Sequence, residues 1–121
     1  MIDSGLLFKD LLARVPYGVK VSYTDKIYDV IGYSGNNLII VLPFLSNLEA
    51  HPIETCKPYL RPMESMTKKE EKEYSKYAHF GNTLGDWVKS IDYLNSIHID
   101  FRGLIPLGLA LPAPDGMYHF K

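Results

Sequence analysis

Residues 19–42 read VKVSYTDKIYDVIGYSGNNLIIVL, and this stretch decides the fold class. Val19, Val21 and Tyr23 alternate with Lys20, Ser22 and Thr24, the period of a strand with one buried and one wetter face. The run from Ile27 to Tyr33 is apolar at Ile27, Ile31 and Tyr33 and again at Tyr28 and Val30, so both its faces are partly covered. Leu38 to Leu42 is apolar throughout. Thr24-Asp25-Lys26 and Ser34-Gly35-Asn36-Asn37 separate the runs, and Gly35, Asn36 and Asn37 tolerate the positive φ of a tight hairpin. The pattern predicts three consecutive antiparallel strands. A third strand buried on both sides further predicts a curled sheet or a small barrel.

On the N-terminal side, Ser4 stands where an N-cap belongs, and Leu7, Phe8, Leu11, Leu12 and Val15 follow at helical spacing. This predicts a short amphipathic helix over Gly5–Arg14, ended by Pro16 and Gly18, whose stripe covers the sheet. On the other side, Pro43, Pro52, Pro58 and Pro62 make the interval a loop with a short strand. Cys56–Pro62 reads as an extended edge segment closing the sheet at its margin, because proline is tolerated at edges. Thr67 and Glu70 have capping-box spacing and start a helix from Lys68 to about His79, whose run KKEEKEYSK is a solvated face. Gly81 and Asn82 stop it. Asn82 or Thr83 caps the next helix, in which Leu84, Trp87, Val88, Ile91, Leu94 and His98 form a broad stripe ending near Ile97. Trp87, Val88 and Ile91 are expected to be buried against the sheet or the first helix. Beyond Asp100 the period fades into a helical turn near Gly103–Gly108, a short strand at Leu109–Leu111 and a turn at Pro114-Asp115-Gly116.

The chain has 121 residues, 46% of them hydrophobic, which suits one domain with a real core. Its net charge of -1 gives no bulk electrostatic attraction toward nucleic acid or an anionic membrane. One cysteine, Cys56, has no partner for an intramolecular disulfide, and a reducing compartment is the simplest setting. Asp3 and Asp10 interrupt the first residues, so no targeting segment is read there, and Pro43 breaks the apolar run nearest in length to a membrane span. The expectation is a cytoplasmic protein with no membrane partner.

Chemistry-bearing residues are sparse. His51, His79, His98 and His119 with Cys56 are too scattered for a structural zinc site, so no metal and no cofactor is expected. His51 and Cys56 lie five apart in a proline-rich loop, where a buried, inert thiol is preferred to a nucleophile. His98, Asp100 and Arg102 alternate after the last helix; an acid there more often caps the next turn while an arginine pairs with it. No glycine-rich phosphate loop is present, and no carboxylate pair carries a supporting signature. Nine tyrosines and five phenylalanines invite base stacking beside Lys20, Lys57 and Arg61, but tyrosine as a half-buried strand residue with its hydroxyl in water is the preferred reading. Tyr59, Arg61 and Arg102 are the candidate binding residues, and no residue is assigned a catalytic role.

Cys56-Lys57-Pro58-Tyr59-Leu60-Arg61-Pro62-Met63-Glu64-Ser65-Met66-Thr67, Asp100–Ile105, Gly108–Leu111 and Ala113–Tyr118, with Pro16–Lys20, resemble small proteins carried by phages, prophages and mobile elements of Bacteroides-like gut bacteria. The resemblance spans nearly the whole chain and implies origin more than activity. The resulting expectation is one α+β domain over residues 1–121. It has a small curved antiparallel sheet similar to an SH3-like barrel, an N-terminal helix and a two-helix hairpin. The expected function is that of a non-enzymatic accessory or protein-interaction protein of a mobile element, with an unidentified protein as partner. The alternative is a small nucleic-acid-binding module using the sheet and the Tyr59–Arg61 edge.

Overall fold

The structure, a computed structural model, describes residues 4–35, 37–41, 48–78 and 83–118. Asn36, Leu42, Pro43, His79, Gly81, Asn82 and His119, to which the sequence assigned turn, strand-end, helix-stop and histidine roles, lie outside those residues. The chain begins with helix α1 (Ser4–Arg14), followed by strands β1 (Lys20–Tyr23), β2 (Lys26–Ser34), β3 (Asn37–Val41), β4 (Leu48–Pro52) and β5 (Lys57–Leu60). Helices α2 (Lys68–Ala78) and α3 (Leu84–Ser96) and a two-residue strand β6 (Leu111–Pro112) complete it. The architecture is α+β.

The three strands read from residues 19–42 pair as an antiparallel meander. Thr24 and Asp25 join β1 to β2 with φ of 50° and 62°, the doubly left-handed geometry of a two-residue hairpin that matches strand twist. Threonine is a poor residue for that conformation, and its Oγ1 donates to the Tyr23 carbonyl at 2.7 Å. Between Val30 and Gly32 the β2–β3 register slips, so Ile31 is the extra residue of a bulge. The slip returns Tyr33 to the face of its cross-strand partner Leu38, where its ring meets Phe8 of α1 edge-on at 6.5 Å.

The sheet is six-stranded and mixed, in the order β4-β3-β2-β1-β5-β6, with β5 and β6 parallel. It is therefore neither wholly antiparallel nor closed. Its curl is nevertheless tight. Tyr23 on β1 stacks on His51 of β4 at 3.9 Å between ring centroids, although three strand spacings of a flat sheet would separate them by about 14 Å. Lys57–Leu60 does not form the margin that its prolines suggested. It lies between β1 and β6, and because β6 pairs only with Tyr59 and Leu60, the sheet beside Pro58 still behaves as an edge.

Leu7 and Leu11 of α1 fill the concavity against Val19, Val21, Tyr28, Val30, Leu38, Ile40 and Leu60. Leu104, Leu109 and Ala110 close the same core from the C-terminal side. A second cluster, Leu94, Ile97 and Ile99 with Met66, Tyr74, Tyr93 and Phe101, lies among the other helices and their connections. Thr67 and Glu70 form the expected capping box, with Glu70 N–H donating to Thr67 Oγ1 at 3.1 Å and Thr67 N–H to Glu70 Oε1 at 2.9 Å. Thr83 and Asp86 form a second such box at the start of α3.

The expected burial of Trp87, Val88 and Ile91 is overturned. The face of α3 that packs inward carries Ser90, Leu94 and Asn95, continuing into Ile97, and leaves Trp87 and Val88 each 52% exposed. A stripe wider than the available surface can bury only one of its edges, and here the small Ser90 permits the close approach. Leu11→Ala should therefore destabilise by about 3 kcal/mol, a buried large-to-small change, whereas Trp87→Ala should cost only about 1 kcal/mol. Denaturant melts of the two variants check this order; equal losses would place Trp87 in the core after all.

Candidate functional site

Asp10 and Arg14 occupy α1 positions that share a face with Leu7 and Leu11, so the helix that fills the core also carries an ion pair into it. Both side chains are fully buried. Arg14 Nε donates to Asp10 Oδ2 at 2.9 Å and Nη2 to Asp10 Oδ1 at 3.0 Å, a forked pair with the acid one turn before the base. Nη2 also donates to the Ile99 carbonyl at 2.7 Å. Arg102 Nη1 reaches the same carboxylate at 2.6 Å. Two guanidinium groups thus share one carboxylate. They also share a ring, since Arg14 lies 5.7 Å and Arg102 4.4 Å from the Phe101 centroid. The Nη1 of Arg14 is buried and has no hydrogen-bond partner among the described residues.

His98 stands beside this network. It follows α3 in the left-handed region at φ 59°, the place usually taken by glycine, while Ile99 N–H donates back to the Leu94 carbonyl. Its imidazole Nε2 is 3.0 Å from the Tyr17 carbonyl, and its ring stacks on Tyr118 at 4.1 Å. Burial, then the nearby Arg14 charge, lowers its pKa to about 4. Tyr118 itself donates to the Tyr59 carbonyl at 2.7 Å and accepts from the Lys20 amide at 2.9 Å. Burial raises its phenol above the ordinary value.

The three alternating residues do not converge on one site. His98 turns to Tyr17, Arg102 to Asp10, and Asp100 accepts the amides of Leu104 at 2.8 Å and Ile105 at 2.9 Å. Asp100 is thus the cap of the following turn, as its position suggested, but the arginine that ought to pair with it pairs elsewhere. Tyr59 and Arg61 are likewise separated in role. The Tyr59 carbonyl takes the Tyr118 hydroxyl, while Arg61 grips Glu70 with Nη1 at 2.9 Å and Nη2 at 2.7 Å and donates to the Ser65 carbonyl at 3.1 Å. Arg61 is the first cause of a lowered Glu70 pKa. Its backbone also brackets Ile99, donating to the His98 carbonyl and accepting the Asp100 amide, each at 2.8 Å.

Cys56 is buried, its thiol raised above the ordinary pKa by that burial, and its sulfur lies 3.8 Å from Thr55 Oγ1 and from the Pro52 carbonyl. His51 turns away to Tyr23 and Glu49. Among the described residues no three His, Cys, Asp or Glu side chains group as metal ligands. No described helix is long and apolar enough to cross a membrane.

Beside the Arg61–Glu70 pair a groove of about 1100 Å³ runs between the start of α2, the end of α3 and residues 112–118. Tyr93 lies in it, its phenol pKa raised by burial and then by the charges of Glu70 and Glu73. Sequence reasoning missed both the buried pair and the groove. The pair had a readable signal, two charges on the apolar face of the first helix; the groove, assembled from three distant segments, had none. No protein-family model, no curated protein and no solved structure matches the chain.

Asp10→Asn should destabilise by about 3 to 5 kcal/mol, because it leaves two cations around one neutral amide. Arg102→Gln, at the half-buried rim, should cost clearly less, and urea melts of both variants check the order. His98 supplies a pH test. Above its ordinary pKa of 6.5 both folded and unfolded chains hold it neutral and stability is full. As pH falls toward 4 the unfolded chain takes up a proton that the folded chain refuses, and on the order of 3 kcal/mol is lost. His98→Asn, which also accepts a left-handed φ, should flatten urea midpoints measured between about pH 7 and about pH 4.5. Glu70 weakens the fold only at lower pH, since its pKa lies below its ordinary 4.5, so the difference between the two proteins isolates His98.

Proposed function

We propose that this chain is a non-enzymatic accessory protein of a phage, prophage or mobile element of Bacteroides-like gut bacteria, acting in the host cytoplasm by binding another protein. The resemblance of its segments to proteins of that origin supports the source. The tight curl supports reading the sheet as an opened SH3-like barrel, with α2 and α3 as a helical hairpin beside it.

One observation carries the interaction reading. Leu84, Trp87, Val88 and Ile91 stand at i, i+3, i+4 and i+7 on α3 and are 81%, 52%, 52% and 37% exposed. Isolated apolar residues on a surface need no explanation, but four in helical register form a continuous stripe of the kind that anchors a helix in a partner's groove. Trp87 is the chain's sole tryptophan, a residue type enriched where binding energy concentrates. The nucleic-acid alternative has less behind it. Arg61 is bound to Glu70, and the groove beside it carries Glu73 and Asp115, which repel phosphate.

The test is capture from nuclease-treated host lysate by the wild-type chain and by Trp87→Glu. A protein held by the wild type and lost with the variant is expected, with urea midpoints of the two chains nearly equal because the position is half exposed. Capture that disappears on nuclease treatment would favour nucleic acid instead. Capture unchanged by the substitution would remove α3 as the contact.

A further inference from the structure

The groove beside Arg61 has a chemistry independent of the α3 stripe. Arg61 and Glu70 bind each other bidentately and cancel. Glu73, one turn further along α2, and Asp115 on the opposite wall make no ion pair among the described residues, nor does the Tyr93 hydroxyl make a hydrogen bond there. Against these two carboxylates stands Lys69, so the lining carries one negative charge in excess.

The opposite wall adds to this imbalance. Pro112 and Pro114 have no N–H, and the amide between them, that of Ala113, already donates to the Leu60 carbonyl at 2.7 Å. Asp115 follows, and the Pro114–Met117 turn, with Gly116 at φ 81°, directs the chain onward to Tyr118. From Pro112 to Pro114 this wall therefore offers acceptors and no free donors. Burial is the main reason the Tyr93 phenol is raised, and the nearby Glu70 and Glu73 carboxylates add to it against the opposing charge of Arg61, so both acids act on the groove at Tyr93.

The Pro112–Asp115 stretch and Glu73 present acceptors and excess carboxylate, which are complementary to a cation with several donors. Guanidinium, planar and with five N–H groups, fits better than a point-like ammonium. At about 1100 Å³ the groove is at the upper end of pockets which enclose small ligands, about 300–1,000 Å³, and it is partly open to solvent, so a segment of chain can be accommodated. We propose that this groove binds an arginine-bearing segment of a polypeptide, with the guanidinium held among Glu73, the Tyr93 hydroxyl and the Pro112–Asp115 wall. The excess carboxylate that attracts it excludes a phosphate backbone.

The test is fluorescence polarisation of a labelled short peptide alternating arginine and glycine, titrated with the full chain at low ionic strength. Saturable binding with Kd below about 1 mM is expected, weakened about tenfold by Glu73→Gln through loss of one charge-assisted hydrogen bond. Tyr93→Phe should weaken it less, and a lysine–glycine peptide should bind less well than the arginine one. Glu71→Gln removes the same charge from an exposed position of α2 outside the groove and should leave binding unchanged. Trp87→Glu should also bind the peptide normally, so failure of the α3 reading and failure of this one are distinguishable. Absence of saturation would overturn the proposal. So would equal weakening by Glu71→Gln, which would mean bulk attraction, or competition by spermidine as effective as that of unlabelled peptide, which would mean a small-amine site.

Discussion

The carboxylate of Asp10 is the point on which the two halves of the molecule meet. It is buried on α1, which the first residues of the chain provide, and it holds Arg14 from the same helix and Arg102 from the C-terminal half. Arg14 extends the tie to the Ile99 carbonyl, and Ile99 is bracketed by the backbone of Arg61 at the end of β5. One acid therefore links the helix that fills the sheet to the segment that closes it. Removing charges from water is expensive, and a buried pair is not by itself evidence of stability. What it does impose is geometry, because an alternative docking of α1 would keep the Asp10–Arg14 pair but bury it without Arg102 and the Ile99 carbonyl.

The curl of the sheet is the second consequence of α1 lying where it does. A single short helix presents Leu7 and Leu11 to the sheet, and a flat six-stranded sheet would leave most of its inner face uncovered. The bulge at Ile31 and the doubly left-handed turn at Thr24 and Asp25 raise the local twist, and the stacking of Tyr23 on His51 records how far the strands wrap. Wrapping shortens the distance a small core must span. It also leaves α2 and α3 outside the main core, on a satellite cluster, with room for an uncovered apolar stripe on one side and a polar groove on the other.

Stripe and groove differ in what they select. The α3 stripe is apolar and shaped like one side of a helix pair, whereas the groove is polar and carries Glu73 and Asp115 beside Lys69 and the Arg61–Glu70 pair. His98 lies near the groove's far wall through its stack on Tyr118, and Tyr118 ties that wall to Lys20 and Tyr59. The wall is thus anchored to the sheet at one end by β6 and the Ala113 amide and at the other by the Tyr118 phenol, against which His98 stacks.

The elements defined by neighbours in the chain were legible from sequence. Alternation located the strands within residues 19–42, helical spacing located α1, and the Thr67/Glu70 box marked the first turn of α2, because each depends on contacts within a few residues. The Asp10–Arg14 spacing was also present, on the apolar face of its helix, but its meaning required knowing that no water reaches that face. Tertiary structure alone decided the rest. It turned α3 so that Ser90 and Leu94 face inward in place of Trp87, placed Lys57–Leu60 inside the sheet, and gave Arg102 to Asp10 and Arg61 to Glu70. A stripe broader than its contact surface, and a cation with several acids within reach, have more than one acceptable local solution. Only the packing of distant segments selects among them.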